Sequence, residues 1–347
     1  MGATARNRGL LRAVFCALII LAFLPLRARK VASLDAVLTA SDIQVHDRHI
    51  YITQQARIFI YSCDDFRLIN QFGRKGEGPG EFRLSDDDMV FLKVRPDCLL
   101  VNSVGRLSYF SKVGTFQRER INNAGLWLDP LGDGFVGIKR VYDEKNARYR
   151  QIWLLDKNLH KVIMVYEEFD GIQPRLRVIE AVTWPSIIFR VYEDKIFVAD
   201  KENTIYVYDR HGTKLYDIPL PFRRVKITDS VKERYLHYYR EVEPYWRERW
   251  ERLKSWFQFS DYLPVIQFFS VKDGRIYILT HFEEGGQNVF LILDLGGRLI
   301  KRTTLPLKRG DTGVFNIWPY DISRGRLYQI VESENDGGCE LHRFDFF

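Results

Sequence analysis

Short apolar runs separated by polar turns fill the chain from about residue 40 to its end. Residues 195–218 show the pattern most clearly, because three runs are separated there by the polar turns at 201–203 and 210–212. Within the runs, apolar residues alternate with polar ones or follow one another directly, as in half-buried and fully buried strands. The pattern predicts a unit of strand, turn, strand, turn, strand.

This unit occurs six times along the chain. The matched apolar positions are Ile50, Leu99, Phe135, Ile196, Ile276 and Leu327. Apolar stretches before the units, such as 187–191 and 266–270, add an inner strand. The mean spacing of about 55 residues suits four-stranded blades with insertions, so the sequence predicts an all-β fold, a six-bladed β-propeller. The last unit lacks an outer strand, which we expect Leu34 to Ala40 to supply, closing the ring.

Two segments resemble a known family. Residues 72–82 are rich in Gly and look like the connection between blades in NHL-type six-bladed β-propellers. The pattern from Val198 through Asp200 and Asn203 to Asp209 is similar to the core of that repeat. The resemblance covers about residues 40–347 and extends to exported bacterial six-bladed propellers. It implies an architecture and no particular activity.

One segment, at about 226–258, has helical spacing and predicts a short insertion between the fourth and fifth blades. Ser230 and Glu233 form a capping box, and Pro244 suits the first turn of a second helix. The residues that share a face of the two helices are Tyr235, Tyr238, Tyr239 and Val242 on the first and Trp246, Trp250 and Leu253 on the second.

The first 32 residues predict a signal peptide or an N-terminal anchor, followed by the propeller at 33–347. Arg6, Arg8 and Arg12 precede an apolar run from Ala13 to Leu26, which is shorter than a typical membrane-spanning helix. Arg27, Arg29 and Lys30 occupy the expected cleavage region, so an uncleaved membrane tether remains the alternative. We expect export to the periplasm or the cell exterior.

The net charge of +7 belongs mostly to this leader. Without residues 1–30, 46 basic and 45 acidic residues remain, a balance that gives no support to a nucleic-acid partner. Hydrophobic residues make up 46% of the chain and charged residues 28%, which allows a large core and excludes a disordered or polytopic membrane protein. Cys63, Cys98 and Cys339 lack zinc-site spacing, and one disulfide among them remains possible.

The familiar catalytic and cofactor motifs are missing from the sequence. The Gly-rich stretch at 73–80 lacks the residues of a P-loop or a dinucleotide loop and is interpreted as a tight connection in which Phe82 plugs the space between sheets. The acidic run at 86–88 lacks the spacing of a calcium loop and is interpreted as a solvated turn. No cofactor is predicted.

Polar residues recur in the loops between the second and third strands of each blade, including the stretches Arg140 to Arg148 and His281 to Gly286. In a propeller these loops share one face with the connections between blades, where ligands usually bind. By this analogy of fold, the candidate ligand-binding residues are Gln54, Asn102, Arg140, Asp200 and His281.

The helical insertion supplies a second candidate surface. Aromatic and Arg residues are favoured at protein interfaces, so the candidate partner-binding residues are Tyr239, Trp246, Arg247 and Trp250. The alternative is that the aromatic faces simply pack on the propeller, as most amphipathic faces do.

Two main hypotheses about function follow, and a third, a membrane-tethered assembly factor, is favoured if the leader is not cleaved. The first is a monomeric, non-enzymatic exported scaffold that binds a protein, peptide or glycan on the loop face. The second is a propeller enzyme, either a metal-dependent hydrolase of the lactonase kind, for which calcium is a possible cofactor, or a lyase. The enzyme would need Asn102, Asp200 and His281 to converge in the central channel.

Overall fold

The computed structural model describes residues 29–84, 89–125, 127–182, 188–310, 318–333 and 337–347. The acidic run at 86–88 and residues 1–28 of the predicted leader lie outside these ranges. The described strands form six four-stranded sheets and one three-stranded sheet. In each four-stranded sheet every neighbouring pair of strands is antiparallel.

The first three four-stranded sheets follow the chain without interruption. Sheet 1 consists of β2 (Asp42–His46), β3 (His49–Gln54), β4 (Arg57–Ser62) and β5 (Leu68–Phe72). Sheet 2 consists of β6 (Phe91–Val94), β7 (Leu99–Ser103), β8 (Arg106–Phe110) and β9 (Phe116–Ile121). Sheet 3 consists of β10 (Leu128–Leu131), β11 (Gly134–Tyr142), β12 (Arg148–Leu155) and β13 (Lys161–Phe169).

The other three complete the set. Sheet 4 consists of β16 (Ile188–Tyr192), β17 (Lys195–Ala199), β18 (Thr204–Asp209) and β19 (Lys214–Pro219). Sheet 5 consists of β21 (Ile266–Lys272), β22 (Arg275–Glu284), β23 (Gln287–Asp294) and β24 (Leu299–Leu305). Sheet 6 consists of β25 (Tyr320–Ser323), β26 (Arg326–Glu332), β27 (Cys339–Asp345) and, as its outer strand, β1 (Arg29–Leu34).

Each sheet packs on the next through its own hydrophobic cluster. Six clusters join sheets 1 and 2, 2 and 3, 3 and 4, 4 and 5, 5 and 6, and 6 and 1. The first strands of the sheets contact one another around a common axis. An ion pair joins β6 to β10, with Lys93 Nζ 2.5 Å from Asp129 Oδ1. Sheets arranged in a closed ring about a central channel make the fold a β-propeller.

The first and last described strands close this ring. β1 pairs antiparallel with β27, with Ser33 opposite Glu340, and Lys30 Nζ lies 2.6 Å from Glu340 Oε1. The prediction that an N-terminal strand completes the last sheet is correct, but its position is wrong: the strand is Arg29–Leu34, not Leu34 to Ala40. The predicted boundary after residue 32 therefore falls inside β1.

The Gly-rich connection between sheets 1 and 2 is built around Phe82, which is fully buried in the cluster between these sheets. Gly73 has a φ of +88°, and a Cβ there would collide with the Phe82 ring and the Ala56 carbonyl. The Glu81 carboxylate accepts hydrogen bonds from Gly78 N at 2.7 Å and Arg74 Nε at 2.6 Å. The stretch is thus a packed connection, as predicted.

Helices lie between sheets 4 and 5. They are α1 (Asp229–His237), a π-helical turn (Tyr238–Val242), α2 (Pro244–Arg247), α3 (Trp250–Leu253) and a 3₁₀ turn (Lys254–Trp256). The predicted capping box is wrong, because the N-cap is Thr228, whose side chain accepts a hydrogen bond from Val231 N. Glu243 caps α2 through Trp246 N at 3.0 Å, and Pro244 occupies its first turn as predicted. None of the described helices is long and apolar enough to span a membrane.

Candidate functional site

One face of the propeller collects the starts of the first strands, the turns between second and third strands, and the ends of the fourth strands. We call it the loop face. The antiparallel order of each sheet places these three features at the same edge, because successive strands reverse direction. All five predicted ligand-binding residues lie on the second strands or in the turns that follow them, towards this face.

A small substructure, the cap, lies over sheet 4 on the loop face. It consists of residues 171–182 and 224–265, which flank sheet 4 in sequence. Strand β15 (Val178–Glu180) pairs with β14 (Ile172–Gln173) and, in parallel, with β20 (Phe257–Gln258). The buried residues of its own hydrophobic core are Ala181, Ile227, Tyr235, Tyr239 and Leu263.

The residues predicted to bind a partner mostly hold the cap together. Tyr239 is buried and donates a hydrogen bond to the Ala181 carbonyl at 2.8 Å. Trp246 and Trp250 are half-buried and pack around Phe257, with ring centroids 5.6 Å from it. Of the four, Arg247 is the exposed one. The aromatic stripe is therefore largely the core of the cap, with residues of the insertion packing on each other and on segment 178–182.

Three of the predicted ligand-binding residues hold backbone segments. Gln54 Oε1 accepts hydrogen bonds from Leu38 N at 2.9 Å and Thr39 N at 3.4 Å. Asn102 is buried and bonds the Gly125 carbonyl and the Asn122 amide. Asp200 Oδ1 accepts from Thr204 N at 2.8 Å, which shapes the turn after β17 beneath the cap.

His281 lies within β22 rather than in a loop. This strand runs to Glu284, so only the end of the predicted loop, at Gly285 and Gly286, is a turn. Burial, with a smaller contribution from nearby Arg309, lowers the pKa of His281 to about 4. Asn102, Asp200 and His281 belong to different sheets. Among the described residues no three His, Cys, Asp or Glu side chains are grouped to hold a metal ion.

Arg140 belongs to a group of neighbouring charged residues that the sequence alone did not predict. It lies in strand β11, since the loop predicted from 140 to 148 is a turn only at 143–147. Three arginines from β11 and β12 surround one carboxylate at the end of β13: Arg148 Nε is 2.6 Å from Asp170 Oδ2, Arg150 Nε is 2.6 Å from Oδ1, and Arg140 Nε is 3.7 Å from Oδ2. We call Arg140, Arg148, Arg150 and Asp170 the arginine cluster.

A second carboxylate, Glu168, lies beside this cluster. It stands directly opposite Arg150 in the sheet, and its Oε1 accepts from Lys201 N at 3.5 Å. Burial raises the pKa of Glu168 to about 7, an effect that Lys201 and Arg150 oppose and Asp200 reinforces. Glu168 therefore links the arginine cluster to the turn that begins at Asp200. Two of the five predicted ligand-binding residues, Arg140 and Asp200, thus lie at opposite ends of one charged group.

The cap is connected to this charged group. Lys201 Nζ lies 3.3 Å from Glu180 Oε2 on β15, and also 5.6 Å from the centre of the Phe169 ring. The turn between the second and third strands of sheet 4 is also bound to the second segment of the cap, because Asn203 Oδ1 accepts a hydrogen bond from Val265 N. The arginine cluster is consequently next to the cap on the loop face.

The central channel contains charged side chains from the first strands. Lys93 and Asp129 are paired, and Lys272 Nζ lies 3.3 Å from Asp321 Oδ2, which also accepts from Val45 N. Arg190 stacks on the Phe268 ring at 4.5 Å. Burial raises the pKa of Asp42 and lowers that of Arg190. These channel carboxylates are mostly paired with cations or backbone amides, which is an arrangement that joins neighbouring sheets.

Sequence reasoning missed Arg150, Glu168 and Asp170, and it named Arg148 only as the end of a polar stretch. The sequence contains one signal for these residues, the charged side chains that come before and after the apolar parts of β12 and β13. Arg148 and Arg150 are two residues apart and therefore share one face of a strand. Strands β11, β12 and β13 have eight or nine residues each, so they include Arg148, Arg150 and Glu168 beyond the apolar runs from which the strands were predicted. The three described cysteines, Cys63, Cys98 and Cys339, are free thiols.

Comparisons with known proteins add little to this description. No protein-family model and no curated protein sequence matches the chain. The solved structure of BamB from Moraxella catarrhalis aligns with 11% identity over 88% of this chain and 73% of that one, with a TM-score of 0.31. The structure of BBS1N in complex with ARL6DN, soaked with mercury, aligns with 11% identity over 86% and 76%, with a TM-score of 0.34. The β-propeller assignment rests on the sheet order and the clusters between sheets.

Proposed function

We propose that this protein is an exported, non-enzymatic six-bladed β-propeller, similar to the NHL type, that binds a protein, peptide or glycan on its loop face. In this proposal the six four-stranded sheets are the blades, and the three-stranded sheet belongs to the cap. The observation that carries the proposal is the arginine cluster beside the cap. It presents Arg140, with 49% of its side chain exposed, on a face where three of the other predicted ligand residues, Gln54, Asn102 and Asp200, are hydrogen-bonded to the backbone.

A scaffold is favoured over an enzyme by how the polar residues are used. Asn102 and Asp200 hold local turns, and the channel carboxylates Asp129 and Asp321 pair with lysines. Arg and aromatic side chains are enriched among the residues that contribute most to binding at protein interfaces. Export is supported by the pattern of residues 1–30 alone, and either cleavage of this leader or its retention as a tether is compatible with a loop face open to partners.

The binding test uses the full chain against arrays of peptides and glycans. Ligands of the loop face should lose at least about tenfold in affinity for Arg140→Ala, corresponding to about 1.4 kcal/mol. The matched control is Arg298→Ala, because Arg298 is an exposed arginine that follows the turn between the third and fourth strands of sheet 5, on the opposite face. Loss of binding with the control variant, and not with the Arg140 variant, would overturn the loop-face assignment.

The export test is separate. The protein is expressed with its complete leader, and the intact mass and fractionation of the product are measured. A mass lacking the leader in a soluble exported fraction supports secretion, and a full-length product in the membrane fraction supports the tether. A full-length product confined to the cytosol would contradict export in both forms.

A further inference from the structure

The arginine cluster contains more positive charge than its own acid can neutralise. Each oxygen of Asp170 already lies 2.6 Å from one Nε, that of Arg150 or that of Arg148. Arg140 Nε, at 3.7 Å, is beyond hydrogen-bond distance from Asp170. Three guanidinium groups thus share one carboxylate among the described residues, and the third arginine makes only a longer-range contact with it.

Two of these arginines stand directly opposite each other. Arg140 and Arg150 are cross-strand partners in the antiparallel pair β11 and β12. Like charges in this position destabilise a sheet. Burial, with smaller contributions from Arg140 and Arg148, lowers the pKa of Arg150 to about 10, and the Asp170 carboxylate opposes this shift. The chain therefore maintains an unfavourable concentration of positive charge that a bound anion would relieve.

The cluster is graded from closed to open. The exposed fraction of the side chain is 2% for Arg150, 21% for Arg148 and 49% for Arg140, while Asp170 is fully buried. Arg150 and Asp170 are the buried part of the cluster, and the side chains of Arg148 and Arg140 are partly exposed. A ligand arriving at the loop face would meet Arg140 first and then Arg148.

The residues next to the arginine cluster neutralise its surplus positive charge only partly. Glu168 faces Arg150 from β13, but with a pKa near 7 it is only partly ionised at neutral pH. Lys201 and Glu180 are paired with each other, and the Asp200 carboxylate is used in its own turn. The surplus positive charge is consequently located at the exposed end, around Arg140 and Arg148.

We propose that the exposed end of the arginine cluster binds a carboxylate of an acidic peptide, with Arg140 and Arg148 as the receiving side chains; this inference rests on the proposed loop-face function. A guanidinium group offers a planar fork of donors that matches the two oxygens of a carboxylate. The cluster already holds one carboxylate, that of Asp170, by arginine side chains approaching both of its oxygens. Three guanidinium groups against Asp170 and a partly ionised Glu168 leave a surplus of more than one positive charge, which the successive carboxylates of an acidic peptide can neutralise.

The experiment measures binding of two fluorescein-labelled hexapeptides, all-Glu and all-Gln, to the full chain by fluorescence anisotropy at low salt and at 0.15 M salt. The all-Glu peptide should bind, the all-Gln peptide should not, and Arg140→Gln and Arg148→Gln should each weaken binding at least about tenfold. Arg140→Lys keeps the charge but removes the fork, so it should restore only part of the affinity. Arg298→Gln, on the opposite face, should bind as the wild type does.

Several outcomes would overturn the inference: no binding of the all-Glu peptide, equal binding to the wild type and to Arg140→Gln, or full restoration by Arg140→Lys. Stronger competition by inorganic phosphate than by acetate at equal concentration would replace the carboxylate with a phosphate ligand. Circular dichroism and the unfolding midpoint confirm that each variant is folded, and Arg140→Lys keeps the test valid if Arg148→Gln unfolds. If this inference fails while array ligands still depend on Arg140, the proposed function stands without it.

Discussion

Arg150 Nε lies 2.6 Å from Asp170 Oδ1, and the exposed fraction of their side chains is 2% and 0%. This ion pair joins β12 to the end of β13. The two other arginines of the cluster, Arg140 and Arg148, lie beside the same carboxylate. Removing one member of a buried ion pair leaves the other charge without compensation in a poorly hydrated environment.

Asp170→Asn should therefore lower the free energy of unfolding by about 3–5 kcal/mol. Urea unfolding followed by tryptophan fluorescence measures this change. Asp217→Asn is the control, because the Asp217 pair with Lys214 is exposed and should cost less than about 1 kcal/mol. An equal cost for the two variants would show that the buried pair does not hold sheet 3 together.

Glu168 should make stability depend on pH. Its pKa is about 7 in the folded chain and about 4.5 in the unfolded chain, so the folded state binds the proton more tightly. The resulting stability is complete below about pH 4.5 and is lost as pH rises through about 7, by at most about 3 kcal/mol. Glu168→Gln should flatten this part of the profile, whereas Glu167→Gln, at an exposed neighbouring position, should leave it unchanged. Unfolding midpoints between pH 5 and pH 8 measure both.

Phe82 should be among the most costly residues to truncate. Its ring fills the space between sheets 1 and 2, so Phe82→Ala should cost about 3–5 kcal/mol through lost burial and the cavity left behind. Leu68→Ala, on the exposed outer strand of sheet 1, should change stability by about 0.5 kcal/mol or less. Thermal unfolding of both variants tests the prediction, and a small loss for Phe82→Ala would mean that the connection closes over the cavity.

Ring closure should depend on residues 29–34. A chain that begins at residue 35 lacks β1, which exposes the edge of β27 and removes Leu34 from the cluster between sheets 6 and 1. We expect a lower unfolding midpoint and concentration-dependent aggregation, measured by scanning calorimetry and light scattering, relative to a chain beginning at residue 29. Leu34→Ala in the longer chain should itself cost about 2–5 kcal/mol. Identical behaviour of the two chains would show that the ring does not need this strand.

The hydroxyl of Tyr239 should fasten the cap. Tyr239→Phe removes the hydrogen bond to the Ala181 carbonyl and should cost about 0.5–1.5 kcal/mol. Hydrogen exchange of the amides at 178–182 should accelerate, because this segment pairs with β20 through the same region. Tyr245→Phe is the matched control at an exposed tyrosine of the same insertion. Unchanged exchange at 178–182 would contradict a role for this hydrogen bond.

The strands of this protein could be predicted from the sequence because alternation of apolar and polar residues is a local property. It located the repeated units, the buried Phe82 and the helical segment between sheets 4 and 5. It misplaced the closing strand, since Leu34 is the last residue of β1 and not its first, and a register is decided by the partner strand β27.

Only the tertiary structure decided how the cap and the arginine cluster are assembled. The cap joins residues 171–182 to residues 224–265, two segments on opposite sides of sheet 4, and no local pattern indicates such a pairing. Likewise, Arg140 and Asp170 are thirty residues apart and meet because β11, β12 and β13 are neighbours in one sheet. The sequence alone determined which residues could form strands and helices, and long-range packing determined which charges those strands bring together.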